Sequence, residues 1–199
     1  MTLTLSNLIG MAIRSVSNPR EGAAEVLSLG VPRSALMTIM ALVVVLSSLL
    51  ALMTNLLVQA AGGEVPPGPF SDPIAIGAMQ FALLLLMVFA IFWIGRSFGG
   101  TGSLEEAMLL VAWLQFIMVC IQVVQTLFFA IMPAVASLIG ILGFALFLWL
   151  LTNFVAVLHG FRSRAQVFVM ILVSSVAIVF AMSLILIFLG IEVPTTGQI

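Results

Sequence analysis

Long apolar runs separated by short polar breaks organise this chain. They cover residues 34–59, 74–94, 104–131, 134–158 and 166–189. A helix rises 1.5 Å per residue, so about 20 apolar residues cross the hydrocarbon of a bilayer. Each of the runs is long enough. The stretch 104–158 is too long for one span. Pro133 interrupts it, and proline lacks the N–H that the helix ladder needs, so a tight helical hairpin is expected there. A single kinked helix followed by a buried half-helix is the alternative.

Ahead of the first run the pattern changes. Leu5, Leu8, Ile9, Ala12, Ile13 and Val16 recur at helical spacing, with Asn7 and Arg14 off that stripe. The segment is too short to span and is expected to lie in the membrane interface. Asn18 followed by Pro19 reads as an N-cap and first helical position. A second short helix then carries Glu21 and Glu25 in its first turns and ends at Gly30, and Pro32 starts the first span. Val58-Gln59-Ala60 faintly resembles a signal cleavage site, but the polar segment before the first run is too long for a signal peptide.

The breaks have readable chemistry. Ser103-Leu104-Glu105-Glu106 is a capping box that opens the third span. Gly95, Gly99, Gly100 and Gly102 let the chain leave the second span and turn, as a flexible connector. Residues 65–69, Val-Pro-Pro-Gly-Pro, form a stiff extended loop. Trp93 is placed at the interface. Trp113 and Trp149 lie further in, packed among helices or facing acyl chains.

Charge adds orientation. All six basic residues, Arg14, Arg20, Arg33, Arg96, Arg162 and Arg164, fall on one side once the runs are threaded through a bilayer. The loop after the first span carries Glu64 and Asp72, and the tail carries Glu192. Basic residues near span ends stay cytoplasmic. The expected architecture is an all-α polytopic membrane protein of five transmembrane helices, N-terminus in and C-terminus out. Residues 1–33 form cytoplasmic amphipathic helices, 34–190 the transmembrane domain and 191–199 a periplasmic tail.

Composition agrees and excludes other classes. The chain of 199 residues is 63% hydrophobic and 7% charged, with mean hydropathy +1.37; soluble domains are about a quarter charged. A net charge of −1 gives no footprint for nucleic acid. The single Cys120 makes no internal disulfide and is read as packing. One histidine builds no metal site alone, and no cofactor is expected.

Candidate chemistry is correspondingly sparse. Charges at mid-membrane depth mark transport and proton pathways, and these runs hold none. Glu105 and Glu106 sit at the inner end of the third span. Uncharged polar residues do occur at depth: Gln115, Gln122 and Gln125 on one face of the third span, Asn55 and Gln59 in the first, Gln80 in the second and Asn153 in the fourth. They read as interhelical contacts. Small pairs at Ala136/Gly140, Ala78/Ala82 and Ala177/Ala181 allow close helix approach. The segment 98–103 superficially suggests a phosphate loop, but it lacks a lysine, and the glutamates after it repel an anion. His159 is expected to act as a cation at a helix C-terminus. No nucleophile–base pair or paired carboxylates are present. The arginines fit contacts with lipid headgroups or a cytoplasmic partner, or set topology alone.

Asn18-Pro-Arg-Glu-Gly22, the Val31-Pro32 entry, Gly99-Gly-Thr-Gly-Ser-Leu-Glu-Glu-Ala107 and His159-Gly-Phe-Arg-Ser-Arg-Ala165 together resemble the bacterial branch of the Yip family, the Ypt/Rab-interacting membrane proteins. The resemblance covers most of the chain, residues 15–190. It implies a five-helix membrane domain with a cytoplasmic N-terminus. The chain has no tyrosine and no Asp-Leu-Tyr-Gly-Pro motif, so the small-GTPase partnership of eukaryotic relatives is not carried over. The expected function is non-enzymatic: a scaffold or accessory subunit that packs against another integral membrane protein or itself, or organises membrane lipids. A small-molecule or lipid transporter using the polar face of the third span is the alternative.

Overall fold

The computed structural model describes residues 4–63 and 72–188. The described chain folds as α1 (Leu5–Ser17), α2 (Pro19–Leu27), α3 (Arg33–Ala60), α4 (Pro73–Ser97), α5 (Leu104–Ile131), α6 (Pro133–His159) and α7 (Arg164–Phe188). Five of these, α3 to α7, are long and apolar enough to cross a membrane. The Pro-rich loop with Glu64, the tail with Glu192 and the last residue of the fifth run, Leu189, lie outside the described residues.

Local chemistry sets the helix ends. Only Met132 separates α5 from α6, with Pro133 at the first position of α6. The structure is therefore a hairpin, not one kinked helix. The Ser103 hydroxyl accepts the Glu106 N–H while the Glu106 carboxylate accepts the Ser103 N–H at 2.8 Å, completing the capping box of α5. Pro32 occupies the N-cap of α3, and helix begins at Arg33. Asn18 takes the N-cap position and Pro19 the first position of α2, but the Asn18 side chain makes no capping bond, and its backbone N–H closes α1 on the Arg14 carbonyl. One expectation is corrected here. The second short helix stops at Leu27 rather than reaching Gly30, whose φ of +58° lies in the left-handed region.

The core gathers around α5, which packs along α6 and α3 and touches α4 and α2. Half of its most apolar stretch is buried, against 11% for α4 and α7. Apart from Ala136 and Gly143, the buried residues of α6 fall between 150 and 159. Packing is thus tightest at the arginine-bearing end. Of the small-residue pairs, Ala136 is buried and Gly140 half-buried, facing Gln125 on α5. Ala78, Ala82, Ala177 and Ala181 are exposed and mediate no close approach within the chain, because α4 and α7 turn those faces outward.

Candidate functional site

At the arginine-bearing end, one side chain gathers three helix ends. His159, the last residue of α6, is 3% exposed. Its Nδ1 accepts the backbone N–H of Gly102 at 3.3 Å. That leaves Nε2 to carry the proton, which it donates to the Ile91 carbonyl at 3.1 Å. The ring is a neutral clamp between α4, α6 and the connector into α5. It is not the cation at a helix C-terminus that the sequence suggested. The glycines explain why it fits. A Cβ on Gly95 or Gly100 would overlap the imidazole, and one on Gly102 would strike Leu158. The glycine-rich segment is therefore a close-packed cradle, not a loose connector. The left-handed Gly160, at φ +71°, ends α6 directly after the ring.

The two short N-terminal helices dock on the same end. α1 turns Met11, Ala12 and Ser15 inward, and α2 turns in Pro19, Gly22, Ala23 and Val26 against α5 and α6. Ser15 is 0% exposed, and its Oγ accepts the indole N–H of Trp113 at 3.0 Å. Gly22 permits that approach, since a Cβ there would overlap Ser15. The apolar stripe of α1 largely faces away from this contact: Leu5 is 67% and Ile13 63% exposed, and Ile9 and Val16 are also exposed. Such a face suits the acyl–headgroup boundary of a membrane.

The arginines share this end but differ in use. Arg14 pairs with Glu25 at 2.8 Å, and Arg33 pairs with Glu105. Arg20 donates to the Arg162 carbonyl at 3.4 Å, tying α2 to the loop before α7. Arg96 lies over the Phe92 ring at 5.4 Å, and Arg164 over Trp149 at 5.9 Å. Among the described residues Arg20, Arg96, Arg162 and Arg164 have no carboxylate partner. Six arginines against Glu21, Glu25, Glu105 and Glu106 leave this end two charges positive.

Away from that end, a polar seam joins α3, α4 and α5. Ser47 Oγ donates to Gln122 Oε1 at 2.9 Å and accepts Gln80 Nε2 at 2.8 Å. Gln122 Nε2 donates to the Ser47 carbonyl at 3.2 Å, and Ser48 reaches Gln80 at 3.4 Å. Further along, Thr54 and Thr126 meet at 3.1 Å. Gln80 and Gln122 thus come together across helices. Gln125 turns its amide towards Gly140 of α6 and lines two small cavities, about 300 and 250 Å³, on either side of α5. Asn55 lines the smaller one. Gln115 is half-buried outside this seam, and Gln59 is exposed at the end of α3. Asn153, 1% exposed, turns back to the Trp149 carbonyl at 2.8 Å instead of reaching a neighbouring helix. The serine and threonine partners were missed from sequence. The adjacent Ser47-Ser48 inside an apolar run was the available signal.

No three His, Cys, Asp or Glu side chains converge as a metal site would need, among the described residues. The family model described as Yip1 domain matches residues 13–187. No curated protein and no solved structure matches the chain.

Proposed function

Because the chain belongs to the Yip1 domain family, an integral membrane protein by its apolar helices, we propose that it serves as a non-enzymatic scaffold or accessory subunit. It would pack against another membrane protein or a second copy, or organise lipid. The arginine-bearing end would face the cytoplasm of a bacterial inner membrane, by the rule that basic span ends stay inside. In that orientation residues 1–33 form a cytoplasmic cap and 191–199 a periplasmic tail.

The observation that carries this reading is how the polar groups are used. Ser47, Gln80 and Gln122 satisfy one another, His159 is held by two backbone groups, and the described spans carry no charge at mid-depth. Side chains bound to each other hold helices together and do no chemistry on a substrate. Meanwhile α7 packs chiefly on α6 and keeps most of its surface outward. Purification of the tagged chain from native membrane in mild detergent is expected to yield a co-purifying membrane protein or a defined oligomer. A lipid-poor monomer alone would overturn the proposal.

The cavities lined by Gln122 and Gln125 favour a second reading, a polar path for a small molecule. Replacing Gln122 and Gln125 with Leu would then abolish a flux while leaving assembly intact. Loss of assembly with those changes supports the scaffold.

A further inference from the structure

A groove opens between α4, α6 and α7, with a volume of about 490 Å³. It exists because α7 rests mainly on α6 and splays away from α4. Its lining spans residues 83–95 of α4, 144–155 of α6 and 170–179 of α7. Apart from Ser174, Ser175 and Gly95, every lining residue carries an apolar side chain.

The depth of the groove selects its occupant. On each helix the lining starts on the arginine side and ends just past the middle, at Leu83 on α4, Phe144 on α6 and Val179 on α7. On α4 it is about 18 Å long, from 1.5 Å per residue. One leaflet of hydrocarbon is about 15 Å, half of a core of about 30 Å. A partner's transmembrane helix would need a face running the full depth, whereas an acyl chain needs one leaflet. Charge at the mouth completes the match. Arg164 precedes the groove-lining Ile171 by seven residues, two turns on the same helix face. It is exposed and has no carboxylate partner among the described residues. A guanidinium pairs with phosphate oxygens in a bidentate manner, and this end of the bundle is net positive.

We infer that the groove holds an acyl chain of an anionic phospholipid from the arginine-side leaflet, with Arg164 at its headgroup. This deepens the lipid arm of the proposed function and is independent of any protein partner, so the two can fail separately.

Phosphate analysis and native mass spectrometry of the purified full chain should find about one retained phospholipid per chain, as a pocket of this size allows. It should be enriched in anionic headgroups. Ala90→Trp and Ser175→Phe fill the groove and should remove the lipid, with circular dichroism and elution volume unchanged. Arg164→Gln should keep a lipid but lower the anionic preference roughly fivefold, the equivalent of about 1 kcal/mol per arginine at an anionic surface. Leu138→Trp, on the other half of α6, should change nothing. In vesicles, phosphatidylglycerol with a photoactivatable acyl chain should label residues 83–95 and 170–179 of the unmodified protein. Wild-type protein free of lipid, groove-filled variants that retain it, or labelling spread evenly over all spans would each overturn the inference.

Discussion

Trp113 and Ser15 are 98 positions apart and share one hydrogen bond of 3.0 Å. Through it α5 holds α1 in place. An indole N–H buried without a partner costs about 1–3 kcal/mol, so the bond matters more for what its loss leaves behind than for its net strength.

Ser15→Ala is therefore expected to cost about 1–3 kcal/mol, by orphaning the indole. Trp113→Phe removes the donor and should cost less in polar terms, though it also thins the packing. Limited proteolysis between residues 17 and 30 reads the docking directly. A cap equally protected in Ser15→Ala and wild type would refute the coupling.

Gly95→Ala forces a methyl into the His159 ring and is expected to cost about 1–3 kcal/mol through overpacking. His159→Ala alone removes two hydrogen bonds and a buried ring. The double variant should be less destabilised than the sum, by at least about 0.5 kcal/mol, as residues in contact show. Strict additivity in detergent unfolding would show that the two do not touch.

The polar seam predicts modest numbers. Gln122→Leu or Gln80→Leu should each cost about 0.6 kcal/mol and no more than about 2, typical of side-chain bonds between membrane helices. Simultaneous replacement should again be non-additive, because both meet at Ser47. A change of more than 3 kcal/mol, measured by reversible unfolding, would point to a role beyond interhelical contact.

The ends of α5 separate a strong device from a weak one. Ser103→Ala should cost about 1 kcal/mol through loss of the cap. Arg33→Gln breaks an ion pair whose arginine is 83% exposed and should change stability by less than about 1 kcal/mol. Thermal midpoints of the two variants in one detergent would rank them.

Span number, hairpin and capping box were legible in the sequence because each rests on local rules: run length, a proline, and two side chains three residues apart. The clustering of arginines followed from counting span ends. What escaped was long-range. Nothing near His159 in sequence says that Gly95, Gly100 and Gly102 will close over it, since the partners lie 57 residues and more upstream. A lone histidine at a helix end looks like a solvated cation until the fold supplies neighbours. The apolar stripe of α1 stays largely exposed, and the docking falls on its flank through Met11, Ala12 and Ser15, the last a residue with no pattern to flag it. The polar residues Gln80 and Gln122 were seen, but their partner Ser47 was not, because a serine in an apolar run reads equally well as helix filler.

The cradle around His159 also orders events in time. Its walls, residues 91–102, are synthesised well before the ring that fills it. While α5 and α6 emerge and enter the bilayer, Gly102 and Ile91 lack their partner, and α4 is not yet fastened to the hairpin. Only when residue 159 arrives do the ends of three helices close on one imidazole. The clamp therefore closes only after the α5–α6 hairpin is complete, since both arms of the hairpin are needed to return residue 159 to the end where residues 91–102 stand.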